Sequence, residues 1–254
     1  MALPKIEHPT FGLTIPSTQE EIKYRPFLVR EEKILLMAQE SGDPDQFITA
    51  ISQVLNNCVY DYDVSNLTSF DTEFLFIKLR ANSVSDLAKI SIYDEEADKQ
   101  VELEIDLNLV ECIGEEDNNS LLKLNDDISF EMRYPKYDDL KNIESSGMET
   151  SIEMITKCIG KIYNGEETLE LADYSTEEQE EFINSFPSDS FAGIQKFFEK
   201  MPKVKLEVSY KVKIDGKTKT KKRVLEGITI FSPSAESYHA GDVLSNNLQH
   251  GSAS

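Results

Sequence analysis

Residues 70–86 read FDTEFLFIKLRANSVSD, and their neighbours give the run a start: Thr68 stands three places before Asp71. A threonine and an acid at that spacing form a capping box, so a helix is predicted to begin near Thr68. Phe70, Phe74 and Ile77 share one face of it, while Leu75, Phe76 and Leu79 fill others. A helix apolar on most of its faces is buried on most of them. Lys78 and Arg80 must then reach solvent or a carboxylate from the edge of that core. A second stretch, YRPFLVREEKILLMA at residues 24–38, has the same mixture of large apolar residues with charges set among them. Neither stretch holds a metal-ligand pair or a phosphate-cradling glycine loop. Packing and assembly, not catalysis, dominate the reading.

Working outward, residues 1–23 carry Pro4, Pro9 and Pro16 among short polar runs and are read as an extended N-terminal arm. Residues 24–85 are predicted to be helical. Arg25–Pro26 keeps the chain extended, a helix covers Arg30–Glu40, Gly42 ends it, and Asp43 caps the next helix with Pro44 in its first position. Phe47, Ile51, Val54, Leu55 and Cys58 then recur at helical spacing. Residues 86–135 change texture. Lys89–Tyr93 and Val101–Leu107 alternate around a charged turn, and Leu121–Leu124 with Ile128–Tyr134 give a second strand pair, so this region is read as one antiparallel β insertion.

Helices are predicted again over residues 136–202. Thr150 and Glu153 make a capping box before Ile152, Ile155, Ile159 and Ile162, and Ser175 with Glu178 opens a helix carrying Phe182, Ile183 and Phe186. Beyond Pro187 the stripe Phe191, Ile194, Phe197, Phe198 and Met201 follows, with Phe197 and Phe198 the candidate for an exposed partner-binding patch. Residues 203–231 are a β-hairpin: Val204 to Ile214 alternates strictly with lysines and polar residues, and Asp215–Gly216 supplies a type I′ turn. Residues 232–254 are small and polar and are read as a flexible tail. The fold class expected is α+β, a helical body with an inserted small antiparallel sheet and a C-terminal β-hairpin.

Across 254 residues, 26 basic side chains face 47 acidic ones, a net charge of −21. That field repels phosphate, which disfavours nucleic acid and anionic membrane as general partners. No run approaches the roughly 18 apolar residues of a membrane span, and no secretory signal opens the chain. Cys58, Cys112 and Cys158 form no C-x-x-C pair and are read as reduced, buried thiols. The acid-rich segments lack the order of a calcium loop, and no H-E-x-x-H, Walker A, G-x-S-x-G or dinucleotide fingerprint occurs. A non-enzymatic chain without cofactor or metal is expected.

The hairpin breaks the acidic pattern. Lys203, Lys205, Lys211, Lys213, Lys217, Lys219, Lys221, Lys222 and Arg223 crowd a short segment. Lysines on an exposed sheet guard it against edge pairing, which is one reading. An electrostatic dock for an acidic protein surface, including a second copy of this chain, is another. A nucleic-acid-linked adaptor is the third, with Tyr210 as its aromatic platform in the first strand.

The two opening segments resemble the signature segments of T4-type bacteriophage baseplate proteins, the hub subunit and hub-assembly proteins of contractile tails. The order of the rest is similar too: Met132-Arg133-Tyr134-Pro135, then Phe186-Pro187-Ser188-Asp189 before FAGIQKFFEKMPKV, then a hairpin running into LEGITIF, residues 225–231. The resemblance spans about residues 20–231. Many members of that family hold a zinc-ribbon-like hairpin with C-x-x-C at the C-terminal position, whereas here the turn is Lys213-Ile214-Asp215-Gly216-Lys217, and without cysteine ligands no tetrahedral zinc site is expected. The resemblance implies a role in building the baseplate hub, as hub subunit or as assembly chaperone. It implies other hub or tail proteins as partners, the tape-measure protein among them, and places the chain in the host cytoplasm during assembly or in the virion baseplate. Arg30, Glu31 and Lys33, Phe197 and Phe198, and the hairpin lysines Lys211, Lys213, Lys219 and Lys221 are the candidate partner contacts. The charges of the first group equally suit an internal bridge to Lys78, Arg80 or a nearby acid.

Overall fold

A computed structural model of the chain describes residues 6–114, 118–141, 148–214 and 216–227. They form two compact units, one from residues up to 113 together with the segment from 204 onward, the other from residues 114–203.

The first unit begins with strands, not an arm. β1 (Phe11–Thr14) and β2 (Glu21–Tyr24) pair antiparallel, with Phe11 opposite Tyr24 and their rings stacked. Ile15, Ile22 and Tyr24 are buried, which is why this segment packs despite its prolines. Then come α1 (Val29–Ser41) and α2 (Pro44–Cys58). Gly42 separates them with φ 66°, a left-handed C-cap that glycine adopts at no steric cost, and Asp43 accepts hydrogen bonds from the amides of Asp45 and Gln46. Of the expected stripe α2 buries Ile51, Val54, Leu55 and Cys58 and leaves Phe47 half-buried. β3 (Val59–Tyr60) completes the first sheet against β2.

α3 (Ser69–Ser83) starts from the Thr68–Asp71 capping box. Phe70, Leu75, Phe76, Ile77 and Leu79 are buried, as apolarity on most faces requires, and Phe74 is half-buried. Lys78 is half-buried and turns to backbone instead of an acid. Its ammonium donates to the carbonyls of Leu107, Asn108 and Val110, satisfying the open end of the 3-10 turn at Leu107–Leu109. β4 (Leu87–Asp94) and β5 (Lys99–Asp106) form a separate two-stranded hairpin, and β6 (Glu111–Ile113) follows.

The second unit is equally mixed. β7 (Leu121–Lys123), β8 (Ile128–Met132), α4 (Met148–Cys158), β9 (Ile159–Asn164) and β10 (Glu167–Glu170) come first, with the four strands in one antiparallel sheet of order β10-β9-β8-β7. α5 (Thr176–Asn184) opens on the Ser175–Glu178 capping box, and α6 (Ser188–Glu199) follows Pro187. One core gathers Phe130, Met154, Ile155, Ile162, Ile183, Ile194, Phe197 and Phe198.

The chain returns to the first unit through β11 (Lys203–Ile214) and β12 (Lys217–Glu226), with β6 on the far side of β11. Ile214 faces Lys217 across a turn in which Gly216 has φ 75°; Asp215, and so the turn type, lies outside the described residues. So do Ile228–Phe231 of the LEGITIF segment and the tail expected over 232–254.

The expected helical body with one inserted sheet is therefore corrected. Among the described residues there are twelve strands in four sheets beside six α-helices, and both units are mixed. The strands of residues 86–135 do not form one insertion: β4 and β5 stand alone, β6 joins the C-terminal hairpin, and β7 and β8 join β9. Thr150 lies inside α4, and Ile159 and Ile162, placed by spacing on the same helix, sit in β9. β-branched residues around Gly160 favour a pleated sheet, and both isoleucines reach the core through pairing with β8.

Candidate interaction site

The segment Tyr24–Glu31 is a structural junction. Tyr24 accepts a hydrogen bond from the Asn82 amide at 2.7 Å, and the Phe27 backbone donates to Ser83 Oγ at 2.9 Å, so both reach the end of α3. Arg25 donates to Glu31 at 3.1 Å and to the Asn57 carbonyl at 2.8 Å, near the end of α2 where a cation complements the helix dipole. Glu31 is fully buried and also accepts from the Leu28 amide at 2.9 Å and from Arg30 Nε at 2.5 Å. Burial pushes its pKa up, but Arg25, the Leu28 amide and Arg30 outweigh it and leave the carboxyl down at about 2. Glu31 is thus an internal anchor, not a partner contact. Arg30, with its side chain 68 % exposed, and Lys33 face solvent.

Two further acids lie inside α3. Asp71, fully buried, accepts from the amide and hydroxyl of Ser17 and from the amide and hydroxyl of Thr68. Glu73 is 6 % exposed and has no partner among the described residues; burial raises its pKa to about 8. Arg80 Nη1 is likewise buried without a hydrogen bond among them.

The hairpin sorts its cations by face. In the antiparallel register Tyr210 faces Lys221, Val212 faces Lys219 and Val208 faces Arg223. On this face the turn between β4 and β5 supplies the counter-charges. Asp94, 3 % exposed, receives the Tyr210 hydroxyl at 2.6 Å and Lys221 at 2.8 Å. Glu96 receives Lys219 at 2.5 Å and Lys221 at 2.9 Å, and Arg223 donates to the Tyr93 carbonyl. Lys221, followed by Tyr210, holds the Asp94 carboxyl well below the usual carboxylate range. On the opposite face Lys222 pairs with Glu207 and Lys205 with Glu226, whereas Lys211 and Lys213 are exposed with no acid beside them among the described residues. The structure therefore brings Lys219 and Lys221 together in an internal latch and leaves Lys211 and Lys213 outside it.

Phe197 and Phe198 form no exposed patch. They are 2 % and 5 % exposed, Phe197 stacks on Tyr134 with centroids 5.0 Å apart, and the Asn118 amide donates to the Phe197 carbonyl. The three thiols follow the same inward logic: burial raises Cys58 to about 11 and Cys112 and Cys158 to about 12, far from a reactive thiolate. Among the described residues no cluster of three His, Cys, Asp or Glu side chains is arranged to hold a metal ion, and no helix is long and apolar enough to cross a membrane.

Two features escape reasoning from periodicity. The Asp94 latch joins two hairpins, and only the opposite charges of their predicted turns and strands point to it. The exposed side of α1 carries Val29, Leu36 and Met37, 66 %, 51 % and 71 % exposed. Its signal is the run Ile34-Leu35-Leu36-Met37, since four apolar residues in succession cannot all face one way on a helix.

Buried charges thus clamp the chain's own elements, while Arg30, Lys211, Lys213 and the apolar side chains of α1 are left on the outside. A family model described as T4 bacteriophage base plate protein matches residues 8–231. The chain belongs to that family of phage baseplate proteins. Comparison with curated proteins and with solved structures gave no match.

Proposed function

We propose that this baseplate protein is a non-enzymatic component in the building of the baseplate hub of a contractile tail, and that it acts there as a hub subunit. The family match over residues 8–231 carries the reading. The use of its buried acids supports it: Glu31, Asp71 and Asp94 are each held by donors of the same chain, as scaffold groups are. A chaperone that shields apolar partner segments would draw on exposed aromatic helix faces, and Phe197 and Phe198 are turned inward. Its partners are other hub or tail proteins, reached from the host cytoplasm during assembly. The adaptor reading loses support from the pairing of Lys219 and Lys221 with acids of the chain itself.

Affinity capture from infected cells, combined with mass spectrometry of purified virions, tests the proposal. Recovery with tail proteins and presence in virions is the expected result. Recovery with tail proteins but absence from virions replaces the subunit role with the chaperone role. Tight binding of DNA or RNA at physiological salt overturns both.

A further inference from the structure

We propose that the outer stripe of α1 pairs antiparallel with the same helix of a second copy of this chain, forming a two-fold dimer. Val29, Lys33, Leu36, Met37 and Glu40 recur at the spacing of one helix face. Val29, Leu36 and Met37 expose more than half of their surface, while the opposite side of the helix buries Glu31 and Ala38. Single exposed hydrophobics are ordinary on any surface. Here Leu36 and Met37 adjoin, Val29 lies two turns away, and the stem of Lys33 bridges the gap, so the stripe runs along one face of a 13-residue helix.

The charges on this helix identify the occupant. Arg30 lies in its first turn and Glu40 in its last, each at the end where the helix dipole disfavours its sign; Arg30 gives its Nε to Glu31 but keeps 68 % of its side chain exposed. An antiparallel copy reverses that mismatch. Arg30 then lies opposite Glu40 of the second copy, beside the C-terminal end of that helix, and the pair is made twice by symmetry. The same register lays the methylene stem of Lys33 along Met37 of the other copy and brings Leu36 of both copies near the axis. Self-complementarity about a midpoint is what a two-fold interface requires. A helix of this length spans about 20 Å, and one such pair buries less than the roughly 1,000 Å² of a stable interface, so the dimer is weak and concentration-dependent.

Sedimentation velocity of the full chain tests this, at an ionic strength that screens the repulsion between two chains of charge −21. The expected mass is near 28.8 kDa when dilute and rises toward twice that at hundreds of micromolar. Met37→Asp, Arg30→Glu and Glu40→Arg each hold the chain monomeric. Mixing the Arg30→Glu and Glu40→Arg proteins restores a dimer, because every opposed pair then joins an acid to a base. Should Arg30→Glu melt early through its contact with Glu31, Met37→Asp carries the test alone. A wild-type chain that stays monomeric throughout, including one that forms a complex only with a different tail protein, overturns the proposal. So does a dimer that survives Met37→Asp.

Discussion

The Tyr210 hydroxyl donates to Asp94 at 2.6 Å across 116 positions of sequence, and Lys221 closes on the same carboxylate from the facing strand. The tip of the β4–β5 hairpin is thereby fastened to the middle of β11–β12. Most of the hairpin's inward cations are occupied by this contact.

Asp94→Asn should loosen that fastening without unfolding the unit, since β11 remains paired with β12 and β6. Hydrogen exchange should accelerate roughly tenfold at the amides of residues 95–98 and 219–223 and stay unchanged along β6. Because Lys221 and Tyr210 hold the Asp94 carboxyl below its ordinary range, the wild-type contact is complete above that range. It persists as pH falls through the range and opens only below it. Equal acceleration along β6 would show that the latch holds the whole sheet.

Glu31→Ala leaves Arg25 in the interior without its acid and should cost about 3 kcal/mol in chemical denaturation, whereas Arg25→Ala should cost less, because Arg30 and the Leu28 amide still hold Glu31. The carboxyl sits at about 2 when folded against an ordinary 4.5. Its stabilisation is therefore full above pH 4.5 and lost as pH falls toward 2. A flat wild-type stability profile across that window would contradict the assignment.

Glu73→Gln works in the opposite direction. The folded carboxyl keeps its proton to about pH 8, while the unfolded one releases it near 4.5. Between those values the folded state binds more protons, so wild-type stability falls by about 1.4 kcal/mol per pH unit from this group. The glutamine variant escapes that slope. It should match the wild type near pH 4 and exceed it by a few kcal/mol near pH 7.5. Equal stability at both pH values would mean that Glu73 gains a partner.

Phe197→Ala should destabilise the second unit by about 3–4 kcal/mol, through lost burial and the cavity left against Tyr134. The double change Lys211→Ala and Lys213→Ala should alter stability by no more than about 0.5 kcal/mol, because both side chains stand exposed without acid partners among the described residues. Separate thermal melts of the two proteins distinguish core from surface.

Local signals were readable wherever a cap or an alternation stood alone. The Thr68–Asp71 box, the Gly42–Asp43–Pro44 join and the β11 alternation all lie where the residues place them. Reading failed where partners are distant. Nothing near β6 announces that it pairs with β11, and Ile159 and Ile162 match a helix face as well as a strand until β8 lies beside them. The candidate contacts divided similarly. Lys33, Lys211 and Lys213 are exposed, Arg30 is exposed but gives its Nε to Glu31, Lys219 and Lys221 found counter-charges within the fold, and Phe197 and Phe198 found a core. Pattern alone cannot tell a charge that waits for another molecule from one already answered by its own chain.

The pairing of β6 with β11 also sets an order of events during synthesis. Residues 114–203 are contiguous and can gather their own core as soon as they leave the ribosome. The first unit is interrupted by them, and the sheet of β6 stays open until the strand that begins at Lys203 has been made. Its long-range pairing comes late and slowly, and for that interval the nascent chain carries an uncovered strand edge. The lysines of β11 and β12 arrive only as that interval closes, so until then the edge is guarded by its shortness and by Glu111 rather than by them.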